Sequence, residues 1–223
     1  MKSHLLRKLI VSAQFGFLVL LAAALAMPLI GCSKAPTQAA IPKGATVLAF
    51  GDSITHGTGA SQGEDWPSLL AATTGWNISN AGVPGDTALA GRDRIGPLLA
   101  QHQPALVIVG LGGNDFLRRR PADQVKEDLR DILLQIKSTG IPVVMLAVPA
   151  PNLLAIAASN LSDAPLYKAL ASEEGVVLVE GVISSILSDN ALKADAIHPN
   201  AEGYRRMADA IHKALQQSGF VSP

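Results

Sequence analysis

Thr46-Val47-Leu48-Ala49-Phe50-Gly51-Asp52-Ser53-Ile54-Thr55 is the stretch on which the fold turns. Residues 46–50 put apolar groups on both faces of an extended chain, and the chain then breaks into small and polar residues. A strand with one wet face would alternate; a strand covered on both faces reads as a continuous apolar run. The pattern recurs at 105–111 (Ala-Leu-Val-Ile-Val-Gly-Leu), 142–148 (Pro-Val-Val-Met-Leu-Ala-Val) and 176–180 (Val-Val-Leu-Val-Glu), with a shorter instance at 76–80. Helical patterns lie between them. The clearest is 122–138, where Val125, Leu129, Ile132, Leu133 and Ile136 fall at helical spacing and Gly140 and Pro142 end the run. Further helices are expected at 66–73, at 86–102 with a bend or break at Pro97, at 153–173 interrupted by Pro165, and at 200–217 with Asn200 as N-cap. Strands and helices that alternate in this way predict an α/β fold: three α/β/α layers around an open parallel sheet of about five strands.

Length and composition agree with one such domain behind a leader. The chain has 223 residues, of which 48% are hydrophobic and 16% charged. Lys2, Arg7 and Lys8 are the only charges before Cys32, so the rest carries 15 basic against 18 acidic residues. That balance offers no basic face for a nucleic acid. Arg118-Arg119-Arg120 reads as a solvated loop. Cys32 is the one cysteine, which excludes an intrachain disulfide and a cysteine zinc cluster, and no histidine pair has metal-binding spacing. No metal or cofactor is expected.

The leader joins a basic start to an apolar run at 9–30, followed by Leu29-Ile30-Gly31-Cys32-Ser33. This is an export signal, and its ending resembles a bacterial lipobox. The resemblance implies a lipoprotein signal peptide at 1–31, cleavage before Cys32 and diacylglycerol on Cys32, where two or more acyl chains give the stable anchoring that one alone does not. The same apolar run is long enough to serve as an uncleaved anchor, or as the leader of a plainly secreted protein. All three readings place the folded part outside the cytoplasm. Residues 32–44 read as a tether, and 45–220 as the domain. Ser33 stands where an aspartate would, by family analogy, favour inner-membrane retention, which points to the outer membrane.

Ligands of open parallel sheets bind at the carboxyl ends of the strands. The sequence places four polar clusters there: Gly51-Asp52-Ser53, Asn80-Ala81-Gly82-Val83-Pro84-Gly85-Asp86, Gly112-Gly113-Asn114-Asp115, and Asp195-Ala196-Ile197-His198-Pro199-Asn200. Each alone is a weak signal; their joint occurrence in this order is a strong one. Together they resemble the four blocks of the SGNH (GDSL) hydrolases, which implies a flavodoxin-like arrangement of the sheet. The chain looks most like the small bacterial thioesterase/lysophospholipase/arylesterase group, and Gln101-His102-Gln103-Pro104 and Gly85-Asp86-Thr87 strengthen the likeness. No Gly-x-Ser-x-Gly elbow is present, which argues against an ordinary α/β-hydrolase.

The residues suit acyl transfer. A serine hydroxyl needs a base to become a nucleophile, and His198 is the base expected for Ser53. Asp195, three residues earlier, can hold the imidazole in one tautomer, while Pro199 restricts the backbone of His198. The oxyanion of a tetrahedral intermediate needs preorganised donors. The backbone N–H of Ser53, the N–H of Gly82, where a missing Cβ permits close approach, and the side-chain amide of Asn114 are expected to supply them. Asp86 is expected to cap the following helix, and Asp52 and Asp115 to hydrogen-bond the loops. The resemblance implies a serine ester hydrolase acting on acyl, aryl or lysophospholipid esters or on thioesters. A small-molecule or lipid ester is expected as substrate, the membrane as partner through lipid on Cys32, and the protein as a monomer. A carbohydrate O-deacetylase of the same fold and a non-catalytic ligand-binding lipoprotein are the competing readings. The unusually apolar segment 149–158 is read as acyl-contacting, as a lid, or as ordinary helix core.

Overall fold

The computed structural model describes residues 39–149 and 160–222. The leader, Cys32, most of the tether and nearly all of the apolar segment 149–158 lie outside them, as does the first part of the helix expected at 153–173.

Five strands form one sheet: β1 Thr46–Gly51, β2 Asn77–Gly82, β3 Leu106–Gly110, β4 Val143–Leu146 and β5 Val177–Val179. Every pairing is parallel, in the order β2-β1-β3-β4-β5. This is the flavodoxin-like order, and the parallel sheet is the one the alternation predicts. The helices are α1 Ser53–His56, α2 Trp66–Thr74, α3 Ala88–His102, α4 Gly113–Leu117, α5 Ala122–Ser138, α6 Pro165–Glu174, α7 Val182–Ser188 and α8 Ala201–Gln217. On one face α3 packs on α5 and α5 on α6; on the other α8 packs on α2 and α7. The sheet core is buried from both sides, with Val47, Leu48, Phe50, Leu106, Val107 and Ile108 wholly covered. The stripe Val125, Leu129, Ile132, Leu133 and Ile136 of α5 is buried against it.

Several boundaries depart from the sequence reading for identifiable reasons. Pro97 does not break α3, which runs through it. The proline lies on the solvent face, as does Asp93, whose carbonyl loses its helical donor, so water can satisfy that group. Thr87, not Asp86, caps α3, accepting from Ala90 N–H at 3.2 Å; the Asp86 carboxylate is taken by Arg94 instead. Pro165 starts α6 at its first turn, where its missing N–H costs nothing.

The carboxyl edge of the sheet is shaped by glycine. The register sets Gly51 beside both Gly82 and Gly110. The short helix α1 lies directly over this row. A Cβ on Gly51 would fall 2.0 Å from Thr55 Oγ1 and 2.6 Å from Gly110 O, and one on Gly82 would fall 2.2 Å from the backbone N of His56. Asp52 caps α1 by accepting from Ile54 N–H at 3.0 Å. Its carboxyl is almost fully buried, and that desolvation pushes its pKa up to about 6 against the helping bond from Ile54 and the attraction of His198.

Two predictions follow from this edge. Gly82→Ala must displace rigid backbone and is expected to cost about 1–3 kcal/mol. Urea unfolding of this variant beside wild type checks the loss. For Asp52, the folded state holds the proton more tightly than the unfolded chain does. Its contribution is therefore complete below the unfolded value and is lost as pH rises through about 6. Asp52→Asn should gain on wild type as pH rises from about 4 to 7, by up to ~3 kcal/mol; melts across that range that run parallel would refute it.

Candidate active site

Ser53 opens α1, and the chain must turn sharply off β1 to present it. Asp52 N-caps the turn, and Gly57, left-handed at φ 99°, ends the helix one turn later. The Ser53 N–H makes no hydrogen bond among the described residues, as expected of a first-turn donor.

His198 arrives from the other end of the chain, on the loop between a 3₁₀ turn at Asn190–Leu192 and α8. That loop is tightly tied. Asp195 Oδ1 accepts from Ile197 N–H at 2.8 Å and from His198 N–H at 2.9 Å, and Ala194 N–H donates to His198 O at 3.0 Å. Asn200 caps α8 through Gly203 N–H at 3.0 Å. The loop after α1 packs against it: Gly59 would place a Cβ 2.4 Å from Pro199 O, and Tyr204 of α8 donates to Thr58 O at 2.8 Å. Held in this way, the imidazole bridges two partners. His198 Nε2 lies 3.0 Å from Ser53 Oγ, and Nδ1 lies 2.8 Å from Asp195 Oδ2.

The electrostatics fit a base with an orienting carboxylate. Partial burial alone would raise the Asp195 carboxyl, but the bonds from His198 and Ile197 outweigh it and hold its pKa below the ordinary value. Asp195 therefore stays ionised and acceptor-only, so Nδ1 must carry the proton and Nε2 is left free to accept one. The Asp195 side chain is 53% exposed and that of His198 only 14%; the ring is shielded while its partner touches solvent.

Asn114, in the first turn of α4, points its amide into the same space. Nδ2 donates to Asp86 O at 2.9 Å and approaches Asp52 Oδ2 at 3.5 Å. Its neighbour Asp115 is fully buried. One oxygen accepts from Ala88 N–H at the start of α3, at 2.8 Å, and the other pairs with Arg120, which also binds Asp128 at 2.7 Å. Asp115 is thus structural. Gly112, left-handed at φ 116°, lets the chain leave β3, and it sits where a Cβ would fall 2.1 Å from Tyr167 Oη. That hydroxyl donates to Leu111 O at 2.7 Å.

Gly82 is not part of this constellation, contrary to the expectation from sequence. β2 runs two residues further than expected, so Gly82 is the last residue of the strand and not the start of the loop. Its N–H is taken by Asn80 Oδ1 at 2.9 Å, and its bare Cα serves the close approach of α1. The loop proper is a turn at Val83-Pro84-Gly85-Asp86, closed by Asp86 N–H to Val83 O at 3.1 Å. Gly85 is the residue the reading passed over. It holds φ +83°, its N–H makes no hydrogen bond among the described residues, and it adjoins the Asp86 carbonyl that anchors Asn114. The signal was present: proline followed by glycine marks a turn whose third residue needs positive φ.

A mainly apolar cavity opens beside Ser53. Ile54, Leu117, Val148, Pro149, Leu161, Ile183, Leu187, Ala196 and Ile197 line it, together with Asp52, Ser53, Gly113 and Asn114. Ile183 and Leu187 come from α7, an element not anticipated, although Ile183, Ile186 and Leu187 have helical spacing. Cys32 lies outside the described residues, as does segment 150–158.

Comparison with known proteins agrees with this architecture. The model of the GDSL-like lipase/acylhydrolase family matches residues 49–206. Thioesterase 1/protease 1/lysophospholipase L1 of Escherichia coli (strain K12) is 34% identical over 176 residues, covering 77% of this chain and 83% of that protein. An arylesterase of Vibrio mimicus is 29% identical over 197 residues, covering 86% and 96%. Among solved structures, the crystal structure of TesA superposes with a TM-score of 0.68 at 30% identity, covering 78% of this chain and 99% of that one. A serine held by a histidine and a carboxylate at the edge of this sheet is what such enzymes require, and the chain belongs to the GDSL-like lipase/acylhydrolase family, as a serine ester hydrolase.

Proposed function

We propose that Ser53 is the nucleophile, His198 the general base and acid, and Asp195 the residue that orients and stabilises the imidazolium. The observation that carries this reading is the unbroken relay from Ser53 Oγ to His198 to Asp195, at 3.0 and 2.8 Å. As Ser53 Oγ attacks the ester carbonyl carbon, its proton passes to His198 Nε2. The tetrahedral oxyanion is received by the N–H groups of Ser53 and Gly85 and by Asn114 Nδ2. His198 then gives the proton to the departing alcohol or thiol, leaving an acyl-serine. Water attacks that ester as His198 takes one of its protons; collapse releases the acid and returns the proton to Ser53. Each donor of an oxyanion hole contributes on the order of 2.7–4 kcal/mol.

The preferred substrates in this reading are esters whose acyl chain is a hydrocarbon, because the cavity beside Ser53 is lined chiefly by aliphatic side chains. Lysophospholipids and aryl esters suit it, with thioesters accessible to the same chemistry; the names of the E. coli and V. mimicus relatives lend support. Acetylated sugars suit it less, since a polar ring would gain little from such walls. The enzyme works in the cell envelope, on the outer membrane, anchored by lipid on Cys32 and monomeric. The support for this location is the leader and its Leu-Ile-Gly-Cys ending.

One assay set tests the chemistry and the substrate class. Wild type should hydrolyse p-nitrophenyl butyrate and lysophospholipid well and acetylated xylan poorly. Ser53→Ala should abolish all of it while the circular dichroism spectrum is kept, and Asp195→Asn should lower kcat by roughly 10²–10⁴-fold. Undiminished turnover by Ser53→Ala would remove the nucleophile assignment, and preferential acetyl release from the polysaccharide would favour a deacetylase. For the anchor, Cys32→Ala should shift the protein out of the membrane fraction and abolish labelling by a radioactive fatty acid; a variant that stays membrane-bound points to an uncleaved leader.

A further inference from the structure

Arg94 lies in α3, and no step of the hydrolysis above uses it. Its guanidinium nevertheless reaches the carboxyl edge of the sheet, where each of its three nitrogens has its own acceptor. Nε binds Asp86 Oδ2 at 2.6 Å, Nη1 donates to Ala81 O at 2.9 Å, and Nη2 donates to Gly51 O at 2.8 Å. The guanidinium plane also rests 4.1 Å from the centre of the Phe50 ring. The three acceptors lie on three separate pieces of chain: the last residue of β1, the penultimate residue of β2, and the turn that leads into α3.

Each piece leads to one donor of the oxyanion set. Gly51 stands two residues before Ser53. Ala81 leads through Gly82 into the turn that carries Gly85. Asp86 holds the Asn114 amide through its backbone carbonyl at 2.9 Å. We propose that Arg94 is a positioning residue for the hydrolysis: by binding all three pieces at once, it sets the spacing of the Ser53 N–H, the Gly85 N–H and Asn114 Nδ2. The inference rests on the oxyanion assignment made under the proposed function. The role is geometric rather than electrostatic, because the charge of Arg94 is answered at short range by Asp86. It is also specific to arginine. A planar fork can serve three acceptors in fixed directions while stacking on an aromatic ring; an ammonium is a compact point charge that does neither. Oxyanion donors act through preorganisation, so a shift of a few tenths of an ångström should weaken the transition state more than the bound ester.

Full-length enzyme carrying Arg94→Lys or Arg94→Ala tests the proposal. The folded, competent sites are first counted by stoichiometric labelling with a p-nitrophenyl phosphonate ester, and kcat and KM for p-nitrophenyl butyrate are then expressed per labelled site. The expected result is a kcat lower by roughly 10–100-fold in both variants with KM within about twofold, the selective loss that follows when only transition-state contacts suffer. Guanidinium chloride should restore part of the Arg94→Ala turnover where sodium chloride of equal ionic strength does not. A kcat per labelled site within about twofold of wild type in both variants would overturn it, whatever fraction of the protein has folded, since Arg94 would then serve stability alone. Failure of the proposed function looks different: if Ser53 were not the nucleophile, the phosphonate would label no Ser53 in the wild-type enzyme, and if Asn114 Nδ2 did not receive the oxyanion, Asn114→Ala would keep the wild-type kcat per labelled site.

Discussion

Everything at the carboxyl edge depends on how closely α1 can approach the sheet. Three glycines side by side in β1, β2 and β3 leave that edge bare of Cβ atoms, and the helix settles onto it with backbone and Thr55 in direct contact. Parallel register is what aligns them, since strands running the same way end at the same edge. A helix one residue higher would lift Ser53 away from the imidazole, which reaches it at a hydrogen-bond distance of 3.0 Å. The nucleophile is thus positioned from below by the absence of side chains, and from above by a loop that carries its own internal bonds.

The site also shows how buried charge is kept tolerable. Asp115 and Asp128 share Arg120, Asp128 also takes Arg92 at 2.9 Å, and Asp86 takes Arg94. These pairs link α3, α4 and α5 beneath the edge. Buried pairs of this kind are weak evidence for stability but strong determinants of geometry, because breaking one leaves an uncompensated charge. Asp52 is the exception. Among the described residues it has no cation of its own, only backbone and amide donors, and burial raises its proton affinity. Its place next to the nucleophile is maintained by the need to cap α1.

Much of this was legible in the sequence. Strands such as Leu106–Gly110 and the stripe of α5 follow from hydrophobic period alone, because burial on two faces and burial on one stripe leave unmistakable patterns. Ser53, Asn114, Asp195 and His198 were legible as a set through their order at successive strand ends, and the structure brings these four together. Gly82 was misplaced for a definite reason. Close approach was correctly inferred from the missing Cβ, but a sequence does not say what approaches, and the partner is the His56 backbone. Strand ends in Asn, Ala and Gly carry almost no hydrophobic signal, so the extent of β2 was hidden, and with it the role left for Gly85. Arg94 was invisible because two of its three partners are carbonyl oxygens, which every residue has, and the third, Asp86, read as a helix cap. The helix α7 was overlooked because it is only seven residues long, too short for periodicity to stand out.

Gly112 and Tyr167 come from distant parts of the chain, yet they share one space: the hydroxyl that bonds Leu111 O occupies the volume a Cβ at 112 would need. Neither position can drift alone. A side chain at 112 is excluded while the phenol remains, and loss of the phenol leaves a buried carbonyl without its donor and a void beside the turn that presents Asn114. Even without the phenol, the left-handed backbone at 112 disfavours a side chain, so among descendants of this sequence position 112 should be the more constrained of the two. The turn is in this sense a brake on the divergence of the family, permitting variation at α6 more readily than at the site.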